Sequence, residues 1–212
     1  MAGFKTHLVG GVLTAAAVSS LGLTTKVLTL TQGGAVFLVG IVGGLLPDLD
    51  SDTGKPLALL FQIISVLIPS TLFFTVAQYG GNSAEFLLCY FAVSYLFIHY
   101  VVCHFVKKMT VHRGMMHSLP FAVLCGGLGY LLFVPSSKDV AFFAGIAVFL
   151  GSLLHLFLDE MGSFTLKFGF IPAVKKSGGS ALKVISNSLG ATLVCYGLVI
   201  LVFVTIVFFF PP

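Results

Sequence analysis

The chain has 212 residues, 58% of them hydrophobic and only 8% charged, with a mean hydropathy of +1.10 and a net charge of +4. A soluble domain carries about 25% charged residues, and a globule with so few could not keep its surface wet, which excludes soluble, disordered, fibrous and disulfide-scaffold proteins. The reading is all-α: a polytopic helical membrane protein with a single integral membrane domain over residues 1–212, its charge too small and scattered to bind nucleic acid.

Apolar runs that approach the thickness of the hydrocarbon core predict about seven transmembrane or re-entrant helices. The first two, Leu8–Leu23 and Gly33–Leu46, are short, so either tilted spans or a buried re-entrant hairpin is expected. Lys5 followed by an apolar run and Ala15-Ala16-Ala17 also fits a signal peptide, an alternative that would remove His7, just ahead of the first run. Leu46-Pro47-Asp48-Leu49-Asp50 closes the second run. Pro47 breaks the helix and directs two carboxylates, Asp48 and Asp50, at its exit, where hard oxygen ligands suit a divalent cation. An EF-hand loop does not fit, because its twelfth position would be Leu59. Asp52, before Thr53-Gly54, reads as a turn residue.

The third and fourth runs, Leu57–Ala77 and Phe86–Val106, predict two longer spans. His99 and His104 lie in the fourth and read as core or supporting residues, with His104 the nearer to a site. The block His112-Arg113-Gly114-Met115-Met116-His117-Ser118 follows. Gly114 permits a turn that brings its two histidines together. Ser118, two residues ahead of Pro120, reads as the N-cap of the fifth helix. Arg113 is the only arginine, and its always-charged planar fork suits a phosphate or a developing oxyanion. The fifth and sixth runs are Leu119–Val134 and Val140–Leu158. The sixth ends in His155 and Asp159, four apart and so on one helix face, a spacing that suits a shared metal.

Residues 159–186 form the longest polar stretch, a cytoplasmic loop expected beside the site. Phe164, Leu166, Phe168 and Phe170 alternate there with Thr165, Lys167 and Gly169, which predicts a short extended segment. Asn187–Phe210 is the seventh run. Cys89, Cys103, Cys125 and Cys195 all lie in apolar runs without a CxxC pair and read as small core residues.

The basic residues fix an orientation. Lys5, Lys55, Lys107, Lys108, Arg113, Lys167, Lys175, Lys176 and Lys183 fall on the N-terminal side of the membrane, and only Lys26 and Lys138 on the other. By the positive-inside rule the N-terminus is cytoplasmic. Without any use of histidine or acid in that assignment, His7, Asp48, Asp50, His112, His117, His155 and Asp159 fall on the same side. Ionisable groups at a membrane edge are costly and usually functional. So many ligand-type residues suit one ion with supporting groups, or two ions.

Together, His7, Leu46-Pro47-Asp48-Leu49-Asp50, His112-Arg113-Gly114-x-x-His117-Ser118 and Gly151-x-x-x-His155-x-x-x-Asp159 resemble the YdjM-like family of inner-membrane metal-dependent hydrolases over roughly residues 3 to 175. The resemblance implies an inner-membrane, metal-dependent hydrolase. The stretch Glu160-Met161-Gly162-Ser163 departs from the family pattern of a Thr followed by a Gly-Val run. A fainter similarity, to zinc-dependent phospholipase C enzymes, implies phosphoester chemistry.

The expectation is therefore a hydrolase using one or two divalent ions, Zn or Mn. His7, Asp48, Asp50, His117, His155 and Asp159 would be ligands, with Arg113 as charge clamp and His112 as ligand or proton shuttle. Membrane lipids are the expected partners, and a phospholipid or lipid-linked phosphoester the expected substrate. A divalent-cation or proton transporter and a non-catalytic membrane scaffold are the alternatives.

Overall fold

The computed structural model describes residues 3–50, 55–104, 115–167, 171–174, 182–186 and 188–210. Asp52, His112 and Arg113 lie outside the described residues, as does the side chain of Asp50.

Among the described residues, seven α-helices account for the seven apolar runs. Helix α1 (Phe4–Thr24) turns through Lys26, at φ 59°, into α2 (Leu30–Gly43), which opens with a reciprocal cap between Thr29 and Gln32. A single 3-10 turn, Leu46–Asp50, follows α2 with Pro47 fully buried. Helix α3 (Lys55–Gly80) carries Pro69, whose carbonyl accepts from the Tyr90 hydroxyl of α4 (Ala84–Leu96) at 3.1 Å. Helix α4 continues as a π-helical turn over Phe97–Val102. Helix α5 (Leu119–Phe133) is capped by Ser118, which accepts from the Phe121 amide as expected. Helix α6 (Lys138–Met161) and, after a hairpin, α7 (Leu189–Phe209) complete the domain.

Among the described residues, six helical segments are long and apolar enough to cross a membrane, including α1 and the Leu30–Asp48 segment. The first two runs are thus not the short ones. That place falls to α5, whose 15 residues extend about 22 Å, short of a hydrocarbon core of about 30 Å.

The fold is organised around α6. Its buried residues, among them Ala141, Ala144, Val148, Gly151, Ser152, His155 and Asp159, recur every three or four positions and so form one stripe. Helices α1, α2 and α5 pack against it. Between apolar helices in lipid, close van der Waals approach replaces the hydrophobic drive, and small residues permit it. A Cβ placed on Gly43 would sit 2.6 Å from the Val148 Cα, and one on Gly151 2.8 Å from the Gly40 carbonyl oxygen. Polar bonds tie the same seams: Ser19 Oγ donates to the Gly33 carbonyl at 2.7 Å, and Ser152 Oγ to the Gly43 carbonyl at 2.8 Å. Helices α3 and α4 form a peripheral hairpin, with none of the α4 span buried. Its large side chains, Phe74, Tyr79 and Leu88 among them, face outward as on a lipid-exposed surface.

The extended segment expected after Asp159 is present as β1 (Phe164–Lys167), paired antiparallel with β2 (Ile171–Val174). Farther on, Lys183 bridges to Ser118 through the Leu119 amide, 3.1 Å from the Lys183 carbonyl oxygen. Cys103, Cys125 and Cys195 are buried as expected, whereas Cys89 is exposed on the outer helix α4. A lipid-facing position is as apolar as a core position, so hydropathy does not separate the two.

Candidate metal centre

Four stretches distant in the chain meet at one end of the helix bundle. His7 lies in the second turn of α1, Asp48 in the 3-10 turn after α2, His117 just before the cap of α5, and His155 and Asp159 in the last turns of α6. Each placement follows from local sequence. Pro47 ends the α2 helix, and the chain tightens so that the Asp48 amide reaches back to the Leu45 carbonyl at 3.2 Å. Ser118 closes the Met115–Ser118 turn by donating to the Met115 carbonyl while capping α5, which fixes His117 between them. His155 and Asp159, one turn apart, extend the buried stripe of α6.

The cluster is dry. His7 is 2% exposed, His117 3%, His155 1% and Asp159 4%. Asp48 is its wettest member, with 13% of its side chain exposed. The His155 ring is the most constrained. Its Nδ1 lies 2.7 Å from the Gly44 carbonyl oxygen. A carbonyl only accepts, so Nδ1 carries the proton and Nε2 presents its lone pair to the cluster. That buried Nε2 has no hydrogen-bond partner. It lies 3.6 Å from Asp48 Oδ1 and 3.8 Å from Asp159 Oδ2. His117 Nε2 lies 3.9 Å and 3.5 Å from the same two oxygens. The His7 ring stacks on His155, with centroids 3.6 Å apart and planes at 11°, and its Nε2 is 3.1 Å from Asp159 Oδ1.

These residues fit a divalent cation. Two sets, His7–Asp48–His155 and His117–His155–Asp159, each place three donor atoms within 4.8 Å of one another. Ligands about 2.1 Å from a tetrahedral ion sit about 3.4 Å apart, close to the nitrogen–oxygen separations of the cluster. Two carboxylates are largely buried here among three imidazoles, and a buried carboxylate without a compensating positive charge costs several kcal/mol. A lone pair directed at no proton, as on His155, is likewise costly unless a Lewis acid meets it.

Of the expected ligands, His7, Asp48, His117, His155 and Asp159 come together. His112, Arg113 and the side chain of Asp50 lie outside the described residues. His104 is exposed, and neither donor set includes it. His99 stacks on Tyr95 in α4, centroids 5.5 Å apart, and takes no part in the cluster. Gly44 was not singled out from sequence, because its contribution is a backbone carbonyl. The available signal was the Gly43-Gly44 pair at the end of an apolar helix, where close approach to another backbone needs a missing Cβ.

A family model described as YdjM inner membrane protein matches residues 1–210. Comparison with curated proteins and with solved structures finds no match.

Proposed function

The chain belongs to the YdjM inner membrane protein family, and from that premise and the cluster geometry we propose that it is a divalent-metal-dependent hydrolase of the inner membrane, acting on a phosphoester in a lipid or lipid-linked substrate. The observation that carries this reading is the meeting of three imidazoles and two carboxylates from four separate stretches in one buried cluster. Zn or Mn is the ion that imidazole and carboxylate donors suit. When bound, it supplies Lewis acidity and a nucleophile at neutral pH.

The remaining roles belong to side chains. Asp48, the most exposed member, marks the edge from which substrate approaches. Arg113 and His112 share a sequence block with His117, and Asp50 shares one with Asp48. The guanidinium is proposed to clamp the charge that develops on a phosphoryl oxygen, His112 to move a proton or to ligate, and Asp50 to add a carboxylate. The nine-to-two distribution of basic residues supports a site on the cytoplasmic face, where lipid headgroups and the loop over residues 159–186 lie. That location makes membrane lipids the natural partners and substrates.

The test is elemental analysis of detergent-purified protein together with release of a phosphorylated headgroup from phospholipid vesicles. Wild-type protein is expected to hold stoichiometric metal and to release headgroup, and the Asp48→Ala/His117→Ala double variant to do neither. Equal metal content in the two proteins would remove the proposal.

A further inference from the structure

We infer that, among the described residues, the cluster is built for a single ion held by Asp48, His117, His155 and Asp159, and that His7 is a positioning residue that holds Asp159 rather than a fifth ligand in the ion's shell. The inference rests on the metal-dependent reading above and deepens it.

His155 sets the number. Both donor sets include it, yet it has one nitrogen to offer, because Nδ1 is committed to the Gly44 carbonyl at 2.7 Å. One lone pair serves one ion, so the two sets cannot be filled by separate ions at once. They describe one place seen from two sides.

The four donor atoms also close a ring in which nitrogen and oxygen alternate. His155 Nε2 to Asp48 Oδ1 is 3.6 Å, Asp48 Oδ1 to His117 Nε2 3.9 Å, His117 Nε2 to Asp159 Oδ2 3.5 Å, and Asp159 Oδ2 back to His155 Nε2 3.8 Å. All four edges are longer than a good hydrogen bond and near the separation of ligands that share a small cation.

His7 breaks that pattern. Its Nε2 lies 3.1 Å from Asp159, and from the other oxygen, Oδ1. One carboxylate oxygen thus faces the ring of donors while its twin lies against His7 Nε2. The flat stacking of the His7 ring on His155, at 3.6 Å, fixes a second member of the ring from behind. Outer partners of this kind orient ligands, and their loss typically lowers metal affinity about 10–100-fold without abolishing binding.

The experiment uses the full chain in detergent, stripped with chelator and titrated with Co2+. Bound metal is counted by elemental analysis, and ligand geometry is read from the visible absorption of the bound Co2+. Wild type is expected to take up one Co2+ per chain. His155→Ala and Asp159→Ala are expected to take up none. His7→Ala is expected to keep one Co2+ with affinity lowered about 10–100-fold and a shifted spectrum, and His7→Gln, which restores a donor toward Asp159, to recover most of the affinity. Because His7 is buried, the Gln variant keeps the inference testable if the Ala variant does not fold. Two ions per wild-type chain, or loss of all binding in His7→Gln as in His155→Ala, overturns the inference and leaves the metal-dependent reading standing. Failure of wild type to bind any Co2+ overturns both.

Discussion

Replacing Gly43 by alanine tests how the helix seam supports the cluster. The added Cβ would lie 2.6 Å from the Val148 Cα and 2.7 Å from its carbonyl oxygen, where ordinary contact begins at 3.4 Å. Both neighbours are backbone, so α2 and α6 must part by about 0.8 Å. Overpacking of this kind costs about 1–3 kcal/mol. The same displacement stretches the Ser152–Gly43 and His155–Gly44 hydrogen bonds, 2.8 Å and 2.7 Å long, beyond good geometry, at about 0.6 kcal/mol each in a membrane. Greater helix propensity returns up to about 1 kcal/mol. The net loss is about 2 kcal/mol, or roughly 4–8 °C in Tm for a chain of this size. Metal affinity falls about tenfold as well, because the His155 ring loses its anchor. Unfolding is followed with a thiol-reactive dye. Buried Cys103, Cys125 and Cys195 respond on unfolding, while exposed Cys89 sets the baseline. Gly34→Ala, on the same helix with nothing within 4 Å, is the control: it keeps metal affinity, and its greater helix propensity raises Tm by a few degrees. If Gly43→Ala melts and binds metal as Gly34→Ala does, the close approach of α2 and α6 does not support the site.

Chelator treatment of the metal-loaded protein is expected to lower Tm by roughly 5–10 °C when the ion had been present at about 100 times its Kd; calorimetry on loaded and stripped samples checks this. Ser19→Ala removes the buried bond from α1 to the Gly33 carbonyl and is expected to cost about 0.6 kcal/mol, at most about 1.7. The dye assay reads that as a decrease of a few degrees, with metal content unchanged because Ser19 lies three turns from His7.

The spans and the end of the bundle where the site lies were legible because each depends on local features. Hydropathy over about 20 residues locates a helix, Pro47 and Ser118 mark where helices stop and start, and the spacing of His155 and Asp159 fixes a shared face. Charge asymmetry then grouped distant connections without any contact being known. What sequence could not separate is lipid-facing from protein-facing surface, since both are apolar. Cys89 and the fully outward α4 span were for that reason indistinguishable from core. The proposed division between ligands and the groups that hold them is likewise out of the sequence's reach. His7 reads as a lone histidine, and its relation to Asp159 arises only when α1 is laid against α6. The Gly44 contribution is invisible for a different reason: a carbonyl oxygen belongs to every residue, and only the tertiary placement of His155 selects this one.

The order of the donors along the chain bears on biogenesis. His7, Asp48 and His117 precede α6, whereas His155 and Asp159 are supplied by its final turns. A polypeptide interrupted before residue 155 lacks the nitrogen at which both donor sets meet and the carboxylate opposite it. Such a fragment, even with five helices already inserted, carries only three of the five clustered side chains. On the proposed metal-dependent reading, capture of the ion comes after insertion of the sixth helix, and occupancy of the cluster would report that nearly the whole chain has reached its place in the bilayer.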